Sequence, residues 1–179
     1  MKFCVIVHAV VLLAVGTARA ADEYRQLVKV EPLPTALDPA FQFRKTKLYL
    51  LSDVVTPAKA SKLSKGAARD PSIAFERSYR LFGAVTALDQ RRRYGDYLDF
   101  FWRAKRPATV TVRLEYRPEK LREETQAREV TYPNAIGNRK TSFAVLGDDF
   151  FTDGRILAWR CLLIEKGRIV AETKSYLWR

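Results

Sequence analysis

Histidine and cysteine are nearly absent from this sequence. Its 179 residues include one histidine, His8, and two cysteines, Cys4 and Cys161. Histidine is the commonest general base and metal ligand at neutral pH, so its scarcity excludes most ordinary active-site chemistry. His8 and Cys4 both stand near the N-terminus, and the fate of that stretch decides how much of this chemistry the chain retains.

Residues 1–20 have the pattern of a secretory signal peptide. Lys2 supplies the positive start, residues 5–15 form an apolar run, and Ala18-Arg19-Ala20 matches a small-x-small cleavage site. We predict cleavage immediately after Ala20. A retained membrane anchor is the alternative, but the apolar run is shorter than the roughly 20 residues that span a bilayer. We therefore expect an exported protein, periplasmic or secreted, that is not an integral membrane protein.

Removal of residues 1–20 would leave a chain without histidine and with Cys161 as its single cysteine. A Ser-His-Asp triad, a Cys-His pair and an imidazole metal site are then excluded, and no internal disulfide can form. We therefore expect no enzyme and no cofactor, with stability supplied by one hydrophobic core. Cys161 lies within an apolar segment and is expected to be buried. An intermolecular disulfide or a reactive thiol is the alternative.

Positive charge is the main compositional excess. Loss of Lys2 and Arg19 with the signal peptide leaves 30 basic and 20 acidic side chains, a net charge of +10. In an exported protein this charge disfavours nucleic acid as a partner and favours anionic lipid headgroups, lipopolysaccharide, acidic glycans or acidic proteins. The alternative is that the charge serves solubility, because Lys and Arg recur at alternate strand positions rather than in one block.

The chain divides near residue 72. Residues 21–72 are predicted to be a flexible, mostly irregular extension, because they combine small residues, a lysine-rich run at residues 57–69 and several prolines. Residues 41–51 alternate well enough to form one candidate strand within it. This strand is expected to join the chain's own sheet or to pair in trans with another copy or a partner.

Residues 73–179 show short alternating segments separated by turn signals, which is the pattern of an all-β, antiparallel β-sandwich. In residues 108–117, the clearest segment, apolar and polar side chains alternate. We predict about seven strands: 73–88, 97–104, 108–117, 124–132, 140–146, 155–164 and 168–178. Residues 105–107 and 165–167 are predicted to close two hairpins. Helix is the alternative for residues 78–89 and 119–128.

Seven antiparallel strands with Trp102 at a core position resemble an immunoglobulin- or fibronectin-type-III-like sandwich. Phe100–Arg103 and Lys174–Trp178 are also similar to segments of uncharacterised exported bacterial proteins. The Cys…Trp…Cys spacing of true immunoglobulin domains is absent, so the resemblance implies the architecture and no functional residues. Because such sandwiches host many unrelated activities, function has to be argued from the site.

A basic and aromatic cluster is the first candidate site. Arg91, Arg92 and Arg93 stand beside Tyr94 and Tyr97. Guanidinium groups flanked by tyrosines can bind phosphate or sulfate groups, with arginine giving bidentate geometry. The alternative is a solvated turn before the strand that contains Trp102.

An acidic cluster is the second candidate site. Asp148, Asp149 and Asp153 could ligate calcium or supply the two carboxylates of a glycoside hydrolase. The spacing does not match a calcium-binding loop, because Phe151 and Arg160 stand where ligands are required. An ordinary solvated turn is the alternative that we favour.

These observations lead to three hypotheses. The first is a non-enzymatic exported sandwich that acts as a protein-interaction or accessory module of the cell envelope, with an envelope or extracellular protein as its partner. The second is a binder of anionic glycan, lipopolysaccharide or lipid headgroups through Arg91–Arg93, with the lysines of residues 57–69 able to form one basic helical face at such a surface. The third is a carboxylate-based hydrolase built on the acidic cluster.

Overall fold

The structure, a computed structural model, describes residues 25–27, 30–52 and 71–179. The predicted signal peptide and the lysine-rich run of residues 57–69 lie outside the described residues. The elements follow in chain order: β1 (Arg25–Leu27), β2 (Phe41–Leu51), α1 (Pro71–Leu81), α2 (Ala87–Arg91), β3 (Gly95–Pro118), β4 (Gln126–Leu146), α3 (Asp148–Asp153), β5 (Ile156–Glu165) and β6 (Arg168–Lys174). None of the helices among the described residues is long and apolar enough to cross a bilayer.

All six strands belong to one antiparallel sheet with the order β1-β4-β3-β5-β6, and β2 also pairs with β3. Strand β3 pairs with β4 along nearly its whole length of 24 residues. On its other side the first half of β3 pairs with β2 and the second half with β5. Long paired strands twist and coil, so the two halves of β3 curl towards each other around one core.

The segment before β2 closes the open side of this curl. The Ala36 N–H donates to the Ile169 carbonyl oxygen at 2.8 Å, and the Asp38 N–H donates to the Val170 carbonyl oxygen at 3.0 Å. This segment therefore runs along the edge of β6 and then turns into β2. Arg106 fixes the corner, because its guanidinium lies 2.9 Å from the Asp38 carboxylate and 2.6 Å from the Glu165 carboxylate.

The core follows the predicted alternation of β3. Its buried residues on that face are Leu98, Phe100, Trp102, Ala104, Ala108, Val110, Val112, Leu114 and Tyr116. The Phe100 ring meets the Trp159 ring edge-on at 5.3 Å, which joins β3 to β5 across the curl. The Trp102 indole N–H donates to the Thr141 hydroxyl at 2.9 Å, so the largest core side chain has a partner for its polar atom.

The predicted hairpin between residues 97–104 and 108–117 is wrong. Both segments belong to β3, because they share β4 as a partner and bury side chains on the same face. Residues 105–107 form an irregularity between Ala104 and Ala108 instead of a turn, and a proline such as Pro107 is tolerated at such a bulge. The predicted strands 124–132 and 140–146 likewise form the single strand β4. Asn134 and Gly137 take positive φ angles within it.

The predicted strand over residues 73–88 is wrong, because α1 and the start of α2 occupy it. The helix alternative for residues 78–89 is partly confirmed, whereas that for residues 119–128 is wrong because β4 begins at Gln126. The hairpin through residues 165–167 is confirmed by the pairing of β5 with β6. Residues 41–51 form β2 and pair in cis with β3.

The coarse prediction of a mostly β, antiparallel fold is confirmed, whereas the seven-strand sandwich and its immunoglobulin-like architecture are not. A sandwich needs short strands divided between two stacked sheets. Here the described residues form one sheet, because β3 and β4 each run through a turn signal and remain paired with each other.

The face of the sheet opposite the core also holds a buried charge. Glu115 is 1% exposed, and its carboxylate contacts the guanidinium groups of Arg160 and Arg113. The Trp178 ring covers this contact, with the Arg117 and Arg160 guanidiniums 4.7 Å and 5.1 Å from its centre. The last residues of the chain therefore shield an ion pair from water.

We expect Glu115→Gln to lower the free energy of unfolding by about 3 kcal/mol, because it leaves the partly buried Arg160 guanidinium without its counter-ion, while Arg113 keeps Glu129. Glu119→Gln is the matched control. Its partner Arg155 and Glu119 itself are both largely exposed, and the expected loss is below about 1 kcal/mol. Urea unfolding of the three proteins measures the difference, and equal losses in the two variants would contradict the role assigned to Glu115.

Candidate functional site

Helix α1 turns its arginines towards the sheet. The Arg80 guanidinium lies 3.9 Å from the centre of the Tyr97 ring, and its nitrogen lies 4.0 Å from the Asp99 carboxylate. Arg77 donates to the Ser52 carbonyl oxygen at 3.3 Å. Stacking on an aromatic ring and pairing with a carboxylate both suit the planar guanidinium. These contacts determine which face of α1 meets the protein.

Arg93 holds the C-terminal end of α1 in place. Its guanidinium donates to the carbonyl oxygens of Arg80 at 3.0 Å and Phe82 at 2.6 Å. The last carbonyls of a helix have no partners within the helix and carry partial negative charge, so a cation is favourable there. The Tyr97 hydroxyl in turn donates to the Arg93 carbonyl oxygen at 2.7 Å. Strand β3, the loop before it and α1 are therefore bonded into one unit.

Exposed apolar side chains follow one another from α1 through the next loop into α2. We call five of them the apolar ridge; with their exposed fractions they are Phe75 69%, Tyr79 66%, Phe82 83%, Val85 87% and Leu88 56%. Phe75 and Tyr79 lie one helical turn apart in α1, and their rings stack at 6.3 Å. An ordinary surface helix buries its apolar stripe and exposes its charges. In α1 the arginines contact the protein, whereas Phe75 and Tyr79 are exposed.

The end of the apolar ridge is fixed by α2. Thr86 caps α2, and its hydroxyl accepts the Asp89 N–H at 3.1 Å while the Asp89 carboxylate accepts the Thr86 N–H at 3.2 Å. Hydrogen bonds from Thr86 hold the pKa of Asp89 below its usual value. This capping box fixes the start of α2 at Ala87, between Val85 and Leu88 in the sequence.

The structure does not gather the predicted basic cluster into one exposed site. Arg93 is used in the contacts just described, Tyr94 is buried, and Tyr97 lies beneath Arg80. Burial raises the pKa of the Tyr97 hydroxyl. Arg91 lies 4.0 Å above the Phe151 ring, and both Arg91 and Arg92 are exposed. Of the five residues predicted to form a site, these two are therefore open to an anionic partner.

The acidic cluster lies in α3, where two of its members have protein partners. The Asp149 carboxylate lies 2.8 Å from the Arg128 guanidinium, and Asp153 accepts a hydrogen bond from the Gln126 amide at 3.1 Å. Asp148 is exposed. Within the described part of the chain, no three His, Cys, Asp or Glu side chains are grouped so that they could hold a metal ion. The contacts favour a structural role for Asp149 and Asp153.

Cys161 is buried in the core, as expected from its apolar neighbours. Burial raises the pKa of its thiol well above the usual value, so the thiolate is disfavoured. The described part of the chain thus places its cysteine out of reach of both a second chain and a substrate.

A groove between β2 and β6 is a second surface feature that could receive a partner. Its apolar lining is Leu37, Phe41, Phe43, Val170 and Ala171. Within the described residues β2 pairs on one side, so its outer edge is open. That edge carries Lys45, Lys47 and a bulge after Phe43, which are devices that oppose the addition of another strand. The apolar ridge has no such protection.

The apolar ridge is not among the candidate sites predicted from the sequence, because residues 73–88 are predicted to be a strand. Two signals for helix were present in the sequence. Phe75, Tyr79 and Phe82 recur at spacings of four and three, and Thr86 with Asp89 matches a capping box. Exposure of this stripe has no sequence signal, because it follows from the contacts of Arg77 and Arg80.

No protein-family model and no curated protein matches the chain. Among solved structures, a crystal structure from Akkermansia muciniphila is similar, with 13% sequence identity and a TM-score of 0.42; the match covers 81% of this chain and 76% of that chain. Similarity at this level carries no argument about function, which therefore rests on the contacts given above.

Asp96 gives the fold a measurable pH dependence. Its carboxylate accepts the Ile156 N–H at 2.8 Å, and burial raises its pKa from 3.8 to about 6. A raised pKa means that the folded state favours the protonated acid. The resulting stabilisation is complete below about pH 4 and is lost as the pH rises through 6.

We expect Asp96→Asn to be more stable than the parent chain by on the order of 2 kcal/mol at pH 7.5, with the difference disappearing near pH 4, because the amide keeps the acceptor and removes the charge. Urea unfolding across this pH range is the measurement. Asp148→Asn removes an exposed carboxylate and is the control for the loss of one negative charge. A stability difference for Asp96→Asn that is the same at both pH values would contradict the assignment.

Proposed function

We propose that this chain is a non-enzymatic, exported accessory module of the cell envelope, and that its binding surface is the apolar ridge. The orientation of α1 is the observation that supports this proposal. The helix turns Arg77 towards the Ser52 carbonyl oxygen and Arg80 towards Tyr97, and it leaves Phe75 and Tyr79 exposed; Phe82 is exposed just after its end. Contiguous apolar side chains that project into water are typical of interaction sites.

The free energy available at the apolar ridge is substantial. Full burial of one large apolar side chain is worth about 1.5–3 kcal/mol. Rotation of α1 could bury the stripe within the chain, but it would break the contacts of Arg80 with Tyr97 and Asp99 and those of Arg93 with the end of the helix. Within the described part of the chain, the apolar surface therefore stays exposed and is available to another molecule.

The absence of catalytic activity remains part of the proposal. Its support is the burial of Cys161 and the pairing of Asp149 with Arg128 and of Asp153 with Gln126. No contact favours a hydrolase on the acidic cluster. The anionic-ligand hypothesis keeps support from Arg91 and Arg92, which are exposed at the end of the helix that contains Leu88 of the apolar ridge.

Export is the part of the proposal that rests on the sequence. If the signal peptide of residues 1–20 is removed, the chain recovered from its cells begins at Ala21. Intact-mass measurement of that chain tests the cleavage position. A chain that retains Met1 and sediments with membranes through its N-terminus would contradict export as a free protein.

Binding through the apolar ridge is tested by co-sedimentation of the exported chain with membrane vesicles prepared from its own cell envelope. We expect the ridge variant Phe75→Ser/Phe82→Ser/Val85→Ser to bind at least about tenfold more weakly than the parent chain, because it loses three large apolar side chains. The control Leu37→Ser/Ile136→Ser/Leu177→Ser removes three exposed apolar side chains outside the ridge and should bind like the parent.

The substituted side chains of the ridge variant are all exposed, so its unfolding curve should match that of the parent chain. A folded ridge variant that sediments with the envelope as strongly as the parent chain would overturn the proposal. Equal loss of binding in the control variant would show general hydrophobic adhesion and would overturn it as well.

A further inference from the structure

We propose that the apolar ridge binds an anionic lipid bilayer, with Phe82 and Val85 inserted among the lipids and nearby basic side chains in the headgroup layer. This inference rests on the proposed function and names its partner. Three properties of the described residues lead to it: the protrusion of the ridge, the chemistry of its side chains, and the charge that follows it.

Protrusion is the first property. Phe82 and Val85 have more than four-fifths of their surface exposed, and they lie between α1 and α2 at the outermost part of the ridge. A protein partner would need a concave surface shaped to receive them. A bilayer needs no matched shape, because its headgroup and acyl boundary deforms around an inserted side chain.

The chemistry of the ridge is the second property. Phe75, Tyr79 and Phe82 are aromatic, and Val85 and Leu88 are aliphatic. Aromatic side chains with a polar atom, such as Tyr79, favour the boundary between hydrocarbon and water, and apolar ones favour the region just below it. The stacked rings of Phe75 and Tyr79 lie on the same stripe as Phe82. The stripe therefore has the composition of an interfacial helix.

Charge is the third property. Arg91 and Arg92 are exposed at the end of α2, three and four residues after Leu88. Basic segments that flank an interfacial apolar stripe are attracted by the negative potential of anionic lipids.

The acidic residues near the ridge do not cancel this attraction. Glu76 pairs with Arg80 at 3.0 Å, and Asp89 accepts the capping hydrogen bonds of Thr86. Their charge is used within the protein, whereas Arg91 and Arg92 are exposed. Arg91 and Arg92 therefore give the α2 end of the ridge two exposed positive charges.

Hydrogen bonds within the chain also order the ridge before any partner binds. Arg93 bonds the end of α1 to the loop before β3, and the Thr86 capping box fixes the start of α2. Val85 and Leu88 thus keep their position relative to Phe82 without a partner. A surface that is ordered before binding loses less conformational entropy on binding.

The test uses the exported chain and two kinds of protein-free vesicle, one of phosphatidylglycerol with phosphatidylethanolamine and one of phosphatidylcholine. We expect the anionic vesicles to bind at least about tenfold more strongly and the binding to weaken with added salt. The ridge variant should lose about tenfold or more in binding to anionic vesicles, and the three-serine control outside the ridge should bind like the parent chain.

Two further variants separate charge from insertion. Arg91→Gln/Arg92→Gln should weaken binding and reduce its salt dependence, whereas Arg103→Gln/Arg139→Gln removes two exposed arginines from β3 and β4 and should have a smaller effect. Phe82→Trp should gain quenching by lipids that carry bromine on their acyl chains. Absence of that quenching, or equal binding to both kinds of vesicle, would overturn the inference.

The outcomes distinguish this inference from the proposed function. If pure lipid vesicles do not bind but binding to envelope vesicles still depends on the ridge, a protein or glycan is the partner and the lipid inference is wrong. If neither kind of vesicle shows ridge-dependent binding, the proposed function is wrong as well. Sedimentation velocity that shows a dimer of the parent chain and a monomer of the ridge variant would assign the ridge to a second copy of this chain and would overturn the lipid inference.

Discussion

The pairing of β3 with β4, which resumes beyond the irregularity at residues 105–107, is the constraint on which the fold depends. It continues from Gly95 to Tyr116, while the other side of β3 changes partner from β2 to β5. One strand therefore organises the whole sheet. Its two halves curl around a shared core, and the bulge near Arg106 allows the bend. Because Arg106 also pairs with Asp38 and Glu165, the bend is bonded to the segment that closes the curl.

The same strand determines how α1 lies. The outward side chains at the start of β3 include Tyr97 and Asp99, which provide an aromatic face and a carboxylate for Arg80. The Arg80 guanidinium can stack on the Tyr97 ring and pair with the Asp99 carboxylate while it is partly buried. An alkyl side chain in its place would leave the buried charge of Asp99 with one cation fewer. Arg80 of α1 therefore points towards the sheet. The exposed apolar ridge is the physical consequence of this preference.

Burial of charge recurs at the other end of β3. Glu115 lies beneath Trp178 and between two arginines, just as Asp99 lies beneath α1 with Lys140 2.9 Å away. In both places a buried carboxylate on the outer face of β3 pairs with more than one basic side chain. Some of the basic side chains are therefore neutralised by ion pairs within the fold. The remainder is carried by exposed residues such as Arg91 and Arg92, which is why their position beside the ridge matters.

Much of the core could be predicted from the sequence, because period-two alternation is a local property. The inward residues from Leu98 to Tyr116, the buried Cys161 and the hairpin between β5 and β6 all followed from it. The continuity of β3 could not be predicted, since Lys105-Arg106-Pro107 has the composition of a turn and becomes a bulge only when β4 remains paired beyond it. The contacts of the residues in the two candidate sites could not be predicted for a related reason. Arginine and aspartate clusters look available in a sequence, whereas in the fold Arg93 holds α1 and Asp149 pairs with Arg128.

The central claim is that α1 exposes its apolar stripe and buries its arginines. Thiol labelling tests this claim most directly, because Cys161 is buried and contributes little background. The measurement is the rate at which a maleimide labels Tyr79→Cys in the folded, exported chain without lipid. We predict a rate within about tenfold of that of a free peptide thiol, while Cys161 is labelled only on unfolding. Protection of the Tyr79→Cys thiol to the same degree as Cys161 would contradict the account.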